Sequence, residues 1–170
     1  MTEKYTEGID SFLGAFEKAA PAAIGDGASW LAAIRRAAME EFAGSGIPAT
    51  REEEWKYTNL SGLKKHPYRV LGDKESECTP EELASLQLPN LEFPRLVFVN
   101  GIFREELSEV PGPETGIEIV DMAEAVRARP AALEILFGGE VSFDFQIFAR
   151  LNTALFSSGA YIHVQKGARI

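Results

Sequence analysis

The sequence is poor in the residue types on which many catalytic and metal sites depend. It contains one cysteine and two histidines in 170 residues, so an internal disulfide is excluded. Its short glycine clusters, Gly44-Ser45-Gly46 and Gly138-Gly139, lack the spacing and the lysine of a phosphate-binding loop. The sequence therefore predicts neither a disulfide-stabilised scaffold nor an ATP site.

Basic charge and long apolar runs are also scarce. Lys and Arg total 17 against 26 Asp and Glu, which gives a net charge of -9. This charge opposes binding to nucleic acid and to anionic membranes. No apolar run approaches the roughly 20 residues of a membrane span, and the N-terminal residues do not resemble a signal peptide. We expect a soluble, cytoplasmic protein without nucleic-acid or membrane partners.

The hydrophobic content of 45% is enough for one or at most two compact cores. The N-terminal part predicts two helices. The first has an apolar stripe and ends before Pro21, and the small-residue linker 21–28 suggests that it is loosely tied to the rest. The second is predicted to start with Ser29 as N-cap and to stop at Gly44. The apolar residues of the two stripes are Tyr5, Ile9, Phe12, Leu13 and Phe16, then Leu31, Ile34, Ala38 and Phe42.

Residues 46–63 predict a sharp, rigid corner after the second helix. Gly46 favours a left-handed helix end and Pro48 prevents continuation. Thr50 with Glu53 fits a capping box that starts a short turn. Trp55 and Tyr57 follow, each with large apolar area and a polar tip.

Later segments carry clear turn and cap patterns. Residues 79–82, Thr-Pro-Glu-Glu, predict a capped helix start, and Asn100-Gly101 predicts a type I′ hairpin between apolar runs. Residues 116–120 are predicted to add a third strand to that hairpin. Asp121 is predicted to cap one helix, and Pro130 to open another.

The C-terminal part of the sequence fits two periods at once. Residues 141–147 alternate like a strand, but the helical period continues to a Ser-Ser-Gly stop, which predicts a helix over about 144–156 and leaves 141–143 undecided. Residues 160–165 alternate as a strand, followed by a Lys-Gly turn and the start of another extended piece. This pattern resembles the opening coil of a solenoid, so we expect an N-terminal fragment whose last strand is disordered or pairs with another copy.

Three stretches resemble one protein family. The segment GIPATREEEWKYTNLSGL (residues 46–63) is similar to the N-terminal signature of the SufB/SufD family of iron–sulfur cluster assembly scaffolds. The hairpin LVFVNGIF (96–103), with Glu-Leu-Ser at 106–108, and the run LNTALFSSGAYIHVQKG (151–167) support the resemblance and favour the SufD branch. The match extends from about Trp30 to the end. The family usually has Pro where this chain has Gln165.

The resemblance implies a fold and a role. The expected class is α+β: N-terminal helices, a small antiparallel sheet with a β-hairpin, further helices, then the first strand of a truncated right-handed parallel β-helix. The expected domains are 1–158, with 1–20 as the loosely tied first helix, and 159–170 as the start of the β-helix core. The implied role is that of a non-enzymatic scaffold that works with a SufB-like subunit and with a SufC-like ATPase.

The family's functional residues lie largely in the β-helix and the C-terminal helices. The resemblance therefore assigns no catalytic, cofactor-binding or metal-binding residue to these positions, and no cofactor is expected in this segment. One cysteine, Cys78, cannot supply the about four ligands, mostly thiolates, that an iron–sulfur cluster usually requires.

Several residues are compatible with either a chemical or a structural role. The acidic triplet 52–54 is favoured as a charged helix start over paired catalytic carboxylates. Trp55 with Arg51 or Lys56 is favoured as ordinary packing over a cation–π ligand cage. Asn152 is expected to hydrogen-bond neighbouring backbone. Cys78, His66 and His163 lack partners at thiol-enzyme or metal spacing. Four basic residues form either a solvent-exposed surface or a contact with an acidic partner: Lys56, Lys64, Lys65 and Arg69.

Three alternatives remain open. A SufB-type subunit shares the core fold. A stand-alone protein-interaction domain unrelated to iron–sulfur assembly is the second. A hydrolase that uses the acidic triplet is the third.

Overall fold

The computed structural model describes residues 7–19, 24, 28–68, 77–86, 94–138 and 147–168. These residues form helices and short antiparallel strands, which confirms the α+β class. In chain order the elements are α1 (Glu7–Ala19), α2 (Ser29–Ser45), α3 (Pro80–Leu86), β1 (Phe98–Val99), β2 (Ile102–Phe103), β3 (Ile117–Asp121), α4 (Met122–Ala128), α5 (Pro130–Gly138), α6 (Ile147–Leu155) and β4 (Ala160–Val164).

The chain divides into two compact units, each built from two stretches of sequence. The first unit comprises Met1–Val70 and Pro130–Phe156, and the second comprises Leu71–Arg129 and Ser157–Ile170. The helices α1, α2, α5 and α6 therefore belong to the first unit. All four strands belong to the second unit, together with α3 and α4.

The core of the first unit lies where α2 packs against α6. Phe42 and Ala154 are fully buried, and Met39 is 3% exposed. Ile9 from α1 joins the same cluster, and the ring of Phe12 meets Phe42 edge-on at 5.8 Å between ring centres. Burial of a side chain such as Phe42 contributes about 1.5–3 kcal/mol. The three-to-four residue spacing on α2 is therefore the period of its buried face, as the sequence predicted.

The two ends of α2 differ in how well the sequence predicted them. The predicted N-cap Ser29 is wrong, because Ser29 is the first helical residue and Ala28 precedes it without a side-chain cap bond. The predicted stop at Gly44 comes too early, because α2 includes Gly44 and Ser45, but the left-handed helix end expected at Gly46 is confirmed. Gly46 has a φ of 73° and its N–H donates to the Phe42 carbonyl at 2.7 Å. A side chain other than glycine is strained in that backbone conformation.

Helix α1 approaches the corner closely. A Cβ atom on Gly8 would overlap the carbonyl oxygen of Leu63, so the absence of a side chain permits this approach. The Tyr68 N–H donates to Ser11 Oγ at 2.9 Å, and the Tyr68 ring stacks on Phe12 at 5.2 Å. Tyr5, from the predicted stripe, lies outside the described residues.

The predicted hairpin is confirmed in the second unit. Asn100 and Gly101 have φ values of 50° and 83°, the positive values of a type I′ turn. Strands β1 and β2 pair antiparallel on either side. Beyond them, Arg95 and Glu109 form a further antiparallel bridge and a side-chain ion pair at 2.7 Å.

The predicted partner of β3 is wrong. β3 does not join the hairpin but pairs antiparallel with β4, with Ile117 opposite Val164 and Ile119 opposite Ile162. The expectation of a disordered last strand is wrong for the same reason, because β4 pairs within the chain. Pairing of this strand with another copy stays a prediction. Apolar residues alternate in both strands, and this pairing places them on one face.

Helix caps and turns predicted in the remaining chain are confirmed. Thr79 and Glu82 bond each other's backbone N–H at 3.2 and 2.8 Å, which is a complete capping box. Asp121 Oδ1 accepts from the Ala123 N–H at 2.7 Å at the start of α4, and α5 begins at Pro130.

The predicted helix over about 144–156 is present as α6, whereas residues 139–146, including the undecided segment 141–143, lie outside the described part. Within the described ranges, none of the helices is both long enough and apolar enough to cross a membrane.

Candidate functional site

The corner after α2 is held by its own backbone and by one acidic side chain. Ile47 and Pro48 are buried, and the Ala49 N–H donates to Glu52 Oε1 at 2.9 Å. A single 3₁₀ turn follows over Glu53–Trp55. The predicted capping box of Thr50 and Glu53 is therefore wrong, because Glu52 closes this turn.

Trp55 is a packing residue, as favoured from the sequence. Its ring meets Phe148 of α6 at 5.6 Å in an edge-on arrangement. Leu60 and Leu63, further along the corner, also pack against the core of the first unit. Lys56 lies over the Tyr57 ring at 5.1 Å rather than over Trp55, so it belongs to no Trp55 cage.

The acidic triplet is engaged in local structure. All three carboxylates are exposed; that of Glu52 accepts from Ala49, and that of Glu53 pairs with Lys56. Catalytic carboxylates usually lie in a cleft where a substrate can be enclosed, whereas these three are exposed on a turn. The geometry of the triplet therefore favours the turn-forming role.

The cysteine and the first histidine belong to no metal-binding group among the described residues. Cys78 is half-buried in the loop before α3, where its Sγ contacts the Thr79 carbonyl at 3.5 Å. His66 is exposed. Across the described ranges, no three His, Cys, Asp or Glu side chains are grouped closely enough to hold a metal ion.

The second histidine belongs to a polar cluster that sequence reasoning did not identify. On β4 the rings of Tyr161 and His163 stack at 6.4 Å, and Arg129 lies over Tyr161 at 5.4 Å. Arg129 also pairs with Glu118 at 2.5 Å, and Glu118 stands directly opposite His163. These residues are distant in sequence and lack a shared motif, so only the strand register brings them together.

A second unexpected group lies within the first unit. Arg35 is 3% exposed, and its guanidinium lies over the Phe156 ring at 5.1 Å. Phe156 stacks on Phe137, which in turn contacts Trp30. Burial lowers the pKa of Arg35. The position follows the period of the buried face of α2, which is the signal that identifies it.

Asn152 does not play the predicted role. It is exposed on α6, and a hydrogen bond of its side chain is absent among the described residues. Its main-chain carbonyl accepts from the Phe156 N–H at 2.8 Å at the helix end.

Comparison with known protein families shows to which family the chain belongs. The family model described as SufBD protein N-terminal region matches residues 8–170. The chain belongs to the SufB/SufD family. The match covers the helical unit, the hairpin and β4.

Two curated relatives are similar to this SufB/SufD-family chain. An iron–sulfur cluster assembly SufBD family protein of Synechocystis sp. is 29% identical over 133 residues, which are 76% of this chain and 28% of the relative. The iron–sulfur cluster assembly protein SufD of Escherichia coli (strain K12) is 28% identical over 131 residues, which are 77% of this chain and 27% of the relative. The aligned part is thus little more than a quarter of either relative.

The departure from the family's usual sequence at Gln165 has a structural counterpart. The Gln165 N–H donates to the Gly116 carbonyl at 2.9 Å, which extends the β3–β4 pairing by one residue. Proline has no N–H to donate at this position. Gln165 therefore supplies a hydrogen bond at the end of the sheet that a proline could not supply.

Proposed function

We propose that the chain is the N-terminal part of a SufD-like, non-enzymatic scaffold subunit in cytoplasmic iron–sulfur cluster assembly. The family match over residues 8–170 carries this proposal, and both curated relatives are named for iron–sulfur cluster assembly. The similarity to the Escherichia coli protein named SufD favours a SufD-like over a SufB-like subunit. The partners proposed are a SufB-like subunit and a SufC-like ATPase.

An architectural role suits the chemistry of the segment. A cluster usually requires about four ligands, mostly thiolates, and this segment has Cys78 as its single cysteine. The carboxylates of Glu52 and Glu53 are used by the corner itself. We therefore assign cluster ligands to other parts of the assembly.

We propose further that residues 1–158 form the N-terminal domain and that residues 159–170 begin a right-handed parallel β-helix. The hydrogen bonds Gln165 to Gly116 and Met122 to Gly159 bracket the β3–β4 pairing. Because bonded and non-bonded pairs alternate in an antiparallel ladder, the N–H groups of Ile162 and Val164 point away from β3. This edge of β4 is suited to receive a following strand.

Hydrogen exchange tests the β-helix proposal. The amides of Ile162 and Val164 should exchange quickly in the 170-residue chain and at least tenfold more slowly in the longer protein that contains it, because a neighbouring strand would bond them. The amides of Glu118 and His163, which face each other, serve as the control and should be protected in both. Equal exchange of Ile162 and Val164 in the two proteins contradicts the proposal.

Co-purification tests the scaffold role. The longer protein that contains this chain should be co-expressed with the SufB-like and SufC-like proteins of the same genome and isolated through an affinity tag. We expect a complex of all three, and loss of activity of iron–sulfur enzymes when the gene is deleted. A SufB-type identity predicts instead a complex with the genome's SufD-like protein. Normal iron–sulfur enzyme activity in the deletion strain, with no complex, argues against both.

A further inference from the structure

Residues 56–68 carry positive charge within an acidic chain. The segment holds Lys56, Lys64 and Lys65 and no acidic residue, whereas the rest of the chain shares 14 basic and 26 acidic residues. The segment directly follows the exposed carboxylates of residues 52–54, so its positive charge lies mainly at its far end, at Lys64 and Lys65, where anionic groups are attracted locally. A partner that binds here must present its negative charge locally.

A large aromatic side chain projects from the same segment. Tyr57 is 90% exposed, whereas its neighbours Trp55, Leu60 and Leu63 all pack against the core of the first unit. The fold thus uses the apolar side chains of the corner for packing and leaves Tyr57 in solvent. Tyrosine is enriched among the residues that dominate binding energy in protein interfaces.

The backbone that carries these side chains is ordered by successive hydrogen bonds between residues that are close in sequence. The Thr58 N–H donates to the Trp55 carbonyl at 2.9 Å, and the Ser61 N–H donates to Asn59 Oδ1 at 3.0 Å. The Lys65 N–H donates to the Gly62 carbonyl at 3.2 Å. A surface that is already ordered loses less conformational entropy when it binds a partner.

The lysines differ in how far they are already engaged. Lys56 pairs with Glu53 and lies over the ring of Tyr57. Lys64 and Lys65 take part in none of the salt bridges found within the described ranges, and Lys65 is exposed. The charge available to a partner therefore comes mainly from Lys64 and Lys65.

We propose that Lys56, Tyr57, Lys64 and Lys65, here named the basic corner, form a docking surface for a short acidic segment of a partner protein. Nucleic acids and anionic bilayers are extended polyanions, and they would also meet the acidic remainder of a chain with net charge -9. A short acidic peptide can contact Lys64 and Lys65 without extending over residues 52–54 and the rest of the acidic chain. The inference rests on charge and exposure and does not depend on the role in iron–sulfur assembly.

Fluorescence anisotropy with labelled synthetic peptides tests the basic corner. The probe is a short polyglutamate peptide with a central phenylalanine, compared with the same peptide carrying serine at that position. We expect the 170-residue chain to bind the phenylalanine peptide more tightly, because Tyr57 offers an apolar contact. Binding should weaken as salt is raised to about 0.15 M, since exposed charges are then screened beyond about 8 Å.

Matched variants separate the basic corner from general charge effects. The double variant Lys64→Gln/Lys65→Gln should weaken binding roughly fourfold to tenfold, because two exposed ion pairs are lost. The control Lys18→Gln/Lys166→Gln removes the same charge from exposed positions elsewhere and should change the affinity less than twofold. Tyr57→Ser should abolish the preference for the phenylalanine peptide, and Tyr57→Phe should retain it.

Three outcomes overturn the proposal. The first is no measurable binding of either peptide at low salt. The second is an equal loss of affinity in the two double variants, which would indicate unspecific attraction. The third is tighter binding of a single-stranded oligonucleotide or of anionic phospholipid vesicles than of a peptide with equal charge. Circular dichroism of each variant establishes that the fold is unchanged.

Discussion

Arg35 provides the sharpest test of the energetics of the first unit. Its side chain is 97% removed from solvent, within the buried face of α2. Its Nη1 atom lacks a hydrogen-bond partner among the described residues, and the salt bridges found there do not include it. Removing such a charge from water costs several kcal/mol, and a desolvated cation–π contact such as that with Phe156 returns about 2 kcal/mol.

Replacing this charge by an apolar side chain of similar length should therefore stabilise the fold. We expect Arg35→Met to raise the free energy of unfolding by about 1–3 kcal/mol, because the desolvation cost disappears and most of the packing stays. Arg35→Ala should be less stable than Arg35→Met by about 2 kcal/mol, since it leaves a cavity. Urea unfolding followed by circular dichroism measures both values, with an unchanged m-value as the check on the folded state.

The pH dependence has a defined sign. Because burial lowers the pKa of Arg35, the unfolded chain binds more protons at this group only between the lowered pKa and the ordinary one. In that alkaline interval the stability of the native protein rises with pH relative to Arg35→Met, and below it the difference is constant.

A fall of 1 kcal/mol or more in the free energy of unfolding of Arg35→Met at neutral pH would refute the reasoning on burial, because it would mean that the guanidinium has a strong partner.

Four further substitutions test the packing and one helix cap. Gly8→Ala should destabilise the protein by about 1–3 kcal/mol, because the new methyl group overlaps the Leu63 carbonyl. The control Gly14→Ala places a methyl group in open space in the same helix and should stabilise the protein by up to about 1 kcal/mol. Equal effects of the two substitutions in thermal unfolding would contradict the close approach of Gly8 to Leu63. Phe42→Ala should cost about 3–5 kcal/mol in chemical unfolding, and a cost below 1 kcal/mol would mean that the core is not centred on this ring. Asp121→Ala should cost about 0.5–2 kcal/mol by loss of its cap bond, whereas an unchanged transition would show that the cap is not formed in solution.

Local patterns predicted local structure well. Asn100-Gly101 produced the expected hairpin turn, and the capping box of Thr79 and Glu82 is complete. These features depend on atoms only a few bonds apart, so neighbouring residues are sufficient to specify them. The corner shows the limit of such patterns. There Glu52, rather than the predicted Glu53, bonds the backbone at Ala49, directly after the buried Ile47 and Pro48.

Candidate site residues were harder to predict than the turns. The sequence favoured packing for Trp55 and turn formation for the acidic triplet, and the contacts agree. It did not reveal the cluster of Glu118, Arg129 and His163, because the cluster depends on strand register.

The amino-acid sequence alone determined the secondary-structure class, the glycine end of α2, the hairpin turn, the acidic charge and the family resemblance, because each depends on composition or on neighbouring residues. Only the tertiary structure decided that β3 pairs with β4 rather than with the hairpin. It also decided that the guanidinium of Arg35 lies over the Phe156 ring, and that Tyr57 stays in solvent while Trp55 packs inward. These choices depend on which distant surfaces meet, and residues adjacent in sequence do not encode that contact.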